Sequence, residues 1–298
     1  MYHIPVLLKE SIDLLEIQQG GVYVDVTYGG GGHTQEMFAR AAGNVRVIAF
    51  DQDADAIKNK IDNNNLLLLN QNFRYLKNFL RLYNTLPVDG ILADLGVSSH
   101  QFDAPDRGFS IRLGGELDLR MDRKKTSTAA TIINTYTEKG LATLFHTFGE
   151  IKNAGRLAKQ IIEARRVKSI QTIEEFIAVI ETCINKKNEN KYLAQVFQAL
   201  RIEVNHELEA LKELLIQSAE VLKPGGRLVI ISYQSLEDRL VKNYLRSGNF
   251  EGTIEKDFFG NVQTPWKVIT RKPITPNEEE TVKNNRARSA KLRAAIKI

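Results

Sequence analysis

Apolar and polar positions follow three different patterns along the chain. From residue 22 to about residue 95, short aliphatic runs alternate with segments of helical periodicity; the runs are VYVDVT, RVIAFD, LLLLNQN and VDGILADL. Apolar runs of this length, separated by helical spacers, are typical of parallel strands that are covered on both faces. The pattern therefore predicts that the chain begins with a doubly wound α/β sheet.

Helical periodicity replaces the strand pattern from about residue 126 to residue 223, for example in AGRLAKQIIEARR and IEEFIAVIETCI. After this block, KPGGRLVIISY predicts a strand, SLEDRLVKNYLRS predicts a helix, and EGTIEK and WKVITRK predict later strands. The simplest organisation is one discontinuous α/β domain, residues 1–105 and 206–298, interrupted by a helical subdomain at residues 106–205.

Four consecutive glycines, Gly29 to Gly32, follow the first predicted strand. Glycine tolerates positive φ and lets the backbone approach a ligand, at an ordering cost of roughly 0.5–1 kcal/mol each. In open α/β sheets, ligands bind at the carboxyl ends of the strands, where this turn would lie. The turn therefore favours a nucleotide-like ligand, although Thr34 stands where the dinucleotide fingerprint has its third glycine.

The composition is that of an ordinary globular protein, with 298 residues, 43% hydrophobic and 26% charged. The single cysteine, Cys183, cannot form an internal disulfide and favours a reducing compartment, so we expect a cytoplasmic protein. No apolar run approaches the roughly 20 residues of a membrane span, and the first residues do not resemble a secretion signal. We expect neither secretion nor membrane insertion.

Positive charge is concentrated at the end of the chain. The net charge is +5, and the last eighteen residues carry six basic side chains, Arg286 and Arg288 among them, and no acid. Such a segment favours a polyanionic partner; the alternative is a solvated chain end.

Three side chains near the ends of predicted strands are candidates for ligand contact. Asp51 follows the second strand, where an acid can accept ribose hydroxyls; the alternative is a helix N-cap, for which Asp53 is better placed. Phe73 follows the third strand and could flank an adenine or belong to the core. Asp94 ends the fourth strand and, if buried and ionised, needs a partner such as a sulfonium or an amine. Together these positions indicate S-adenosylmethionine.

Longer motifs occur along nearly the whole chain: HIPVLL (3–8), DVTYGGGGHT (25–34), DLGVSSHQFDAPDRGFS (94–110), ELDLRMD (116–122), FQALRIEVNHEL (197–208), SLEDR (235–239) and NNRARSAKLR (284–293). In this combination the chain resembles the bacterial small-subunit ribosomal RNA methyltransferase H family. The resemblance implies a Rossmann-like class I S-adenosylmethionine-dependent methyltransferase sheet interrupted by an inserted helical subdomain. It also implies methylation of the exocyclic N4 amine of a decoding-centre (P-site) cytidine in 16S rRNA.

The resemblance implies the cofactor contacts residue by residue: Gly31, Gly32, His33, Asp51, Phe73, Asp94 and Gln101. A metal role for His33 is disfavoured because no second histidine or cysteine stands at ligand spacing, so we expect backbone contact at the turn and no metal.

A cytosine amine is a poor nucleophile, so a carboxylate or amide that accepts its hydrogen bond would assist transfer. Asp94 and Asp103 are the catalytic candidates, although Asp103 could equally cap a turn.

We expect the substrate, 16S rRNA or the small ribosomal subunit, to contact three regions. Arg107, Arg112 and Arg120 lie in a loop rich in Gly, Arg and Asp and are available to phosphates. Arg201 and Asn205 lie four residues apart and could form the floor of an RNA channel or a buried interhelical contact. Arg286 and Arg288 belong to the basic chain end. The oligomeric state, monomer or homodimer, stays open.

The chain departs from the family pattern at two places. Tyr233 and Gln234 replace a usual Phe-His pair before SLEDR, and Gly114, Gly115 and Glu116 replace a usual Asp-Gly-Pro. Gln234 can form hydrogen bonds but cannot titrate. These departures motivate one alternative, a non-catalytic RNA-binding ribosome-assembly factor. A second alternative is a DNA cytosine-N4 methyltransferase, which shares the chemistry. The missing third glycine disfavours a nicotinamide-dependent oxidoreductase.

Overall fold

The computed structural model describes residues 5–298, apart from the side chain of Ser99, so His3 and Ile4 of the first motif lie outside it. The chain forms two compact units: residues up to Gly96 together with Leu208–Ile298, and Val97–Glu207. We call them the sheet unit and the helical unit. The sequence places these boundaries after residues 105 and 205; in the structure, the first change comes two residues after the strand that ends at Asp94.

Within residues 5–298, the sheet unit holds one seven-stranded sheet of order β3-β2-β1-β4-β5-β7-β6. Strands β1 to β5 are parallel, and β7 runs antiparallel to both β5 and β6. The strands are β1 Val22–Asp25, β2 Arg46–Phe50, β3 Leu66–Leu69, β4 Val88–Asp94, β5 Leu222–Ser232, β6 Trp266–Val268 and β7 Lys291–Lys297.

The helices are α1 Leu8–Leu15, α2 Gly32–Arg40, α3 Ala54–Ile57, α4 Leu76–Leu82, α5 Ser99–Asp103, α6 Ala129–Thr135, α7 Glu138–Gly149, α8 Ala154–Val167, α9 Ile173–Ile180, α10 Glu189–Asn205, α11 Glu207–Val221, α12 Ser235–Ser247 and α13 Glu278–Lys283. Among the described residues, none of them is both long and apolar enough to cross a membrane.

The sheet is buried on both faces, as the continuous apolar runs predict. Along β5, Leu228 and Ile230 belong to one core cluster and Val229 and Ile231 to the other, because successive side chains of a strand point to opposite faces. Helices α4, α11 and α12 contribute side chains to the first cluster, and α1 and α2 to the second. The doubly wound α/β expectation is confirmed.

The helical unit has its own core, drawn from α6 to α10 and the loop before α6. Its helices begin at residues that suit an N-cap. At the start of α9, the Thr172 hydroxyl accepts from the backbone N–H of Glu175, and the Glu175 carboxylate accepts from that of Thr172, both at 3.2 Å. This reciprocal capping box satisfies two backbone donors that the helix itself leaves open.

One expectation for this part of the chain is wrong. EGTIEK forms no strand; Lys256 makes only an isolated bridge to Val262. The alternative for the basic chain end, a solvated tail, does not describe residues 291–297, because β7 lies inside the sheet and buries Ala294 and Ala295. Apolar periodicity does not predict this strand, because β7 contains small side chains between basic ones. WKVITRK does begin with a strand, β6.

Candidate active site

The first acid at the carboxyl ends of the strands is Asp25, the last residue of β1. Its side chain is 1% exposed. Oδ1 accepts from the backbone N–H of Thr27 at 3.1 Å, and Oδ2 accepts from the hydroxyl of Thr34 at 2.7 Å. Burial raises the pKa of Asp25 to about 6, although both hydrogen bonds oppose the shift. Asp25 therefore braces the turn that follows β1.

Asp51 stands directly after β2 and braces the same turn from the other side. Its Oδ2 accepts from the N–H of Gly29 and its Oδ1 from the N–H of Asp53, both at 2.8 Å. Desolvation raises its pKa to about 7. The N-cap of α3 is Asp53, whose side chain accepts from the N–H of Asp55, so capping does not occupy Asp51.

Asp94 ends β4. Its backbone N–H donates to the Thr27 hydroxyl at 2.6 Å, and its Oδ1 accepts from the Tyr233 hydroxyl at 2.8 Å. Desolvation raises its pKa to about 7, with a smaller repulsive contribution from Asp25. We refer to Asp25, Asp51 and Asp94 as the strand-end carboxyls. In the described part of the chain, none of the three forms an ion pair with lysine or arginine.

The glycine turn is both tight and open. A Cβ on Gly31, which has φ 76°, would lie 2.6 Å from the Tyr28 hydroxyl, and a Cβ on Gly32 would lie 2.2 Å from Cγ of Pro5. These two glycines are required by packing within the protein. Gly29, with φ 51°, has no atom nearer to its Cβ position than 4.0 Å. The turn therefore leaves room beside Gly29, where Asp51 fixes the backbone.

His33 serves the protein interior. It is 5% exposed, and its Nε2 lies 3.2 Å from the carbonyl oxygen of Val6, to which the neutral ring donates. Burial lowers its pKa to about 4, so the ring is uncharged at neutral pH. No group of His, Cys, Asp or Glu suited to a metal ion occurs among the residues described.

Phe73 lies just beyond the carboxyl end of β3, where it opens a short 3-10 helix, Phe73–Tyr75. Asn72 caps that helix by accepting from the N–H of Arg74 at 2.9 Å. The Phe73 ring is half-buried and packs on the core between the sheet and α4. Phe73 is therefore neither fully buried nor fully exposed.

Gln101 and Asp103 belong to the helical unit. Gln101 is 4% exposed and forms the capping box of α5: its Oε1 accepts from the N–H of Ser98, and its own N–H donates to the Ser98 hydroxyl. Asp103 is the exposed last residue of α5. The amide oxygen of Gln101 is thus engaged in local structure.

Of the three loop arginines, only Arg112 is exposed. Arg107, expected to bind phosphate, is 1% exposed, and its Nη2 donates to the carbonyl oxygens of Arg120 and Met121 at 3.2 and 3.0 Å. Arg120 holds both carboxylate oxygens of Asp118 at 2.7 and 2.8 Å. Arg107 and Arg120 therefore shape the loop from within.

Arg201 and Asn205 match the buried-contact alternative rather than a channel floor. The Arg201 guanidinium holds Glu207 through two hydrogen bonds of 2.9 and 3.1 Å. Asn205 is 2% exposed; its Oδ1 accepts from the N–H of Met121, and its Nδ2 donates to the carbonyl oxygens of Leu119 and Arg201. This side chain ties the loop to the end of α10.

Arg286 and Arg288 are exposed on a 3-10 segment, Asn285–Ser289, just before β7. Arg293, within β7, is 7% exposed and pairs with Asp238 at 2.6 Å. The basic end thus contains both surface cations and an internal ion pair.

One of the two departures from the family pattern has a local explanation. Gly114 and Gly115 have φ of 68° and 105°, and a Cβ on Gly114 would lie 1.8 Å from Oε1 of Glu174. The N–H of Gly115 donates to that carboxylate at 3.2 Å. At the other departure, the backbone N–H groups of Tyr233 and Gln234 donate to Glu237 at 3.1 and 3.2 Å.

Sequence reasoning did not place Asp25, Thr27, Thr34 or Tyr233 in the site. Asp25 carries a usable signal, since it is an acid that ends a strand directly before a glycine turn. Thr27 and Thr34 are ordinary hydroxyl residues, and only the folded turn shows which acid each one contacts. Tyr233 is distant from Asp94 in sequence and meets it because β4 and β5 are neighbours.

The order of the sheet, the reversed β7 beside β5 and the acids at the ends of β1, β2 and β4 define a class I methyltransferase fold. Residues 1–298 match the MraW methylase family, and the chain belongs to that family.

Relatives include the "Ribosomal RNA small subunit methyltransferase H" of Phocaeicola vulgatus, 54% identical over 297 residues that cover 100% of this chain and 98% of the relative. The protein of the same name from Cytophaga hutchinsonii is 54% identical over 99% of both chains. A solved rRNA methylase from Streptococcus thermophilus is 14% identical over 99% of both chains, with a TM-score of 0.45.

Proposed function

We propose that this protein transfers a methyl group from S-adenosylmethionine to the exocyclic N4 amine of a decoding-centre cytidine in 16S rRNA. The observation that carries the proposal is the arrangement of the strand-end carboxyls around the glycine turn, where Asp51 accepts from Gly29, without a cation from the described chain. Their buried negative charge calls for a cationic ligand, because unpaired buried carboxylates are costly.

S-adenosylmethionine fits this donor set, since it has a ribose, an ammonium group and a sulfonium that carries the electrophilic methyl. Asp51 retains acceptor capacity on both oxygens for ribose hydroxyls, because a carboxylate can accept about four hydrogen bonds and two are used. Phe73, which is only half-buried, is the proposed contact for the adenine. The turn at Gly31, Gly32 and His33 supplies backbone contact, and Gln101 remains a proposed contact from the helical unit.

Asp94 and Asp103 are the proposed catalytic groups. A carboxylate that accepts a hydrogen bond from the cytosine amine directs electron density onto the nitrogen and can take its proton late in the transfer. The pKa of Asp94, about 7, lies close to the pH at which such a group works. Asp103 is exposed at the end of α5, which supports contact with substrate and gives no support for cofactor contact.

The relatives' name supports small-subunit ribosomal RNA as the substrate class, and the substrate in turn supports a cytoplasmic location. Arg112, Arg286 and Arg288 are the proposed phosphate contacts, because all three are exposed. Arg107, Arg120, Arg201 and Asn205 are proposed to act indirectly by holding the loop and the end of α10 in shape.

The test is methyl transfer from labelled S-adenosylmethionine to small ribosomal subunits that lack the modification, followed by nucleoside mass analysis. We expect N4-methylated cytidine from the wild type. Asp94→Asn should lose both cofactor affinity and transfer, whereas Asp103→Asn should keep the affinity and lose transfer. Asp62→Asn, at an exposed acid, is the matched control. A folded wild type that binds the cofactor but forms no product would overturn the proposal.

One observation favours a second candidate, a non-catalytic assembly factor that binds RNA. Gln234 stands where the family usually has histidine, and its amide does not titrate near neutral pH. In that case the same assay gives RNA binding and cofactor binding without product, and Gln234→His is the variant to measure next. Product formed only on DNA would instead indicate a DNA cytosine-N4 methyltransferase.

A further inference from the structure

Tyr233 makes a contact that the usual phenylalanine of the family pattern cannot make. Its hydroxyl donates to Oδ1 of Asp94 at 2.8 Å. The ring is itself held in place: a Cβ on Gly96 would lie 3.4 Å from Cδ2 of Tyr233, and the backbone N–H of Tyr233 is bonded to Glu237. The phenol is therefore fixed between the turn after β4 and the first turn of α12.

We propose that Tyr233 is a positioning residue of the transfer site, whose hydroxyl fixes one carboxylate oxygen of Asp94 so that the other oxygen faces the bound ligand. This inference rests on the proposed function. In the part of the chain that the structure describes, Oδ2 of Asp94 accepts no hydrogen bond, while the backbone of Asp94 is held by Thr27. Oδ1 of Asp94 is thus hydrogen-bonded to Tyr233, and Oδ2 can contact the ligand.

The charges around Asp94 explain why such a donor matters. Asp25 on β1, Glu237 on α12 and Glu280 on α13 all raise its pKa, and desolvation raises it further. The hydroxyl of Tyr233 opposes these effects, because a hydrogen bond to a carboxylate favours its ionised form. The pKa of Tyr233 is itself raised well above its usual value by burial, so the phenol keeps its proton and remains a donor.

The decisive variant is Tyr233→Phe, with affinity for S-adenosylmethionine and for S-adenosylhomocysteine measured from about pH 6 to about pH 9. Loss of the donor should move the midpoint for S-adenosylmethionine binding about one pH unit higher. Below that midpoint, Tyr233→Phe should bind S-adenosylmethionine up to about tenfold more weakly than the wild type does. Above the midpoint, the two affinities should become equal. S-adenosylhomocysteine, which lacks the sulfonium charge, should lose less.

Tyr23→Phe is the matched control, because Tyr23 is also buried and its hydroxyl accepts from Gln18 in the loop before β1. It should lower stability without moving the midpoint. If Tyr233→Phe weakens both ligands equally at every pH, or leaves the midpoint unchanged, the inference is wrong.

A measurement on the wild type keeps the test independent of the variant's folding. With ¹³Cζ-labelled tyrosine, one signal should titrate with the same midpoint as ligand binding, and Asp94→Asn should abolish that titration; its persistence would overturn the inference. Failure of the proposed function is distinguishable, since a wild type that binds the cofactor without transferring a methyl group still reports the Tyr233 effect.

Discussion

The hydroxyl of Thr34 donates a hydrogen bond of 2.7 Å to Oδ2 of Asp25, from the first turn of α2 to the end of β1. Thr34 occupies the position of the third glycine in a dinucleotide fingerprint, and this bond explains the difference. A glycine there would leave Oδ2 of a carboxyl that is 1% exposed without its side-chain donor. The hydroxyl therefore secures the acid that braces the glycine turn.

Thr34→Val removes this donor at nearly constant volume. We expect the free energy of unfolding to fall by roughly 1–3 kcal/mol, because a buried acceptor loses its partner. Urea denaturation at neutral pH measures the change, and Thr34→Ser, which keeps the hydroxyl, should retain most of the stability. Equal losses for valine and serine would show that the methyl group, and not the hydrogen bond, matters at this position.

The ligand-free protein should become less stable as the pH rises from about 6 to about 7.5. The pKa values of Asp51 and Asp94 are raised to about 7, so the folded state binds more protons than the unfolded state below that pH. The stabilisation is lost as these groups ionise. The lowered pKa of His33 acts with the opposite sign, and its contribution levels off as the pH rises past 6.5, the ordinary pKa of histidine. The net loss is roughly 2 kcal/mol.

Chemical denaturation across this pH range measures the effect. Saturating S-adenosylmethionine should reduce the loss, because a cationic ligand binds the ionised carboxyls preferentially. Asp94→Asn should make the free energy of unfolding depend less steeply on pH, because it removes one titrating group. A ligand-free protein that gains stability over the same range would contradict the assignment of these acids as desolvated and without a cation.

Asn205→Ala should destabilise the helical unit by roughly 2–4 kcal/mol, since it leaves the N–H of Met121 and the carbonyl oxygen of Leu119 without their side-chain partner. Hydrogen exchange should increase at residues 119–121 first. Asn190→Ala, an exposed substitution of the same kind on α10, should have little effect. Unchanged exchange in Asn205→Ala would mean that the loop holds its shape without this residue.

Arg286→Gln and Arg288→Gln should weaken binding to the RNA substrate without lowering thermal stability, because both side chains are exposed. If each contacts one phosphate, the slope of log affinity against log salt should decrease in magnitude by about 0.7–0.9 per arginine. Arg246→Gln, exposed near the end of α12, provides a control with the same change in charge. An unchanged slope would exclude phosphate contact by the 285–289 segment.

The sequence is most informative where one local signal decides the structure. Apolar runs predict β1 to β5, and the acids that follow strands predict the edge at which ligands bind, since parallel strands end on the same side. Asp51 and Asp94 can be named for this reason. The same logic applies to Asp25, which ends its strand in the same way, although the glycines beside it are the more conspicuous signal.

Other features depend on partners that are distant in sequence. Arg107 and Arg112 belong to the same arginine-rich loop, yet one is buried against backbone carbonyls and the other is exposed. Nothing local distinguishes them. In the same way, Arg288 and Arg293 both belong to the basic chain end, and only the pairing of β7 with β5 places Arg293 beside Asp238.

The last strand, β7, has a consequence for how the protein is made. It lies between β5 and β6, so β6 has no partner in the sheet until residues 291–297 are available. A ribosome still translating these residues holds a chain whose sheet ends at an open β5 edge. The sheet is therefore completed only after residues 291–297 have been synthesised, and truncation before Lys291 should leave that edge available to pair with other chains.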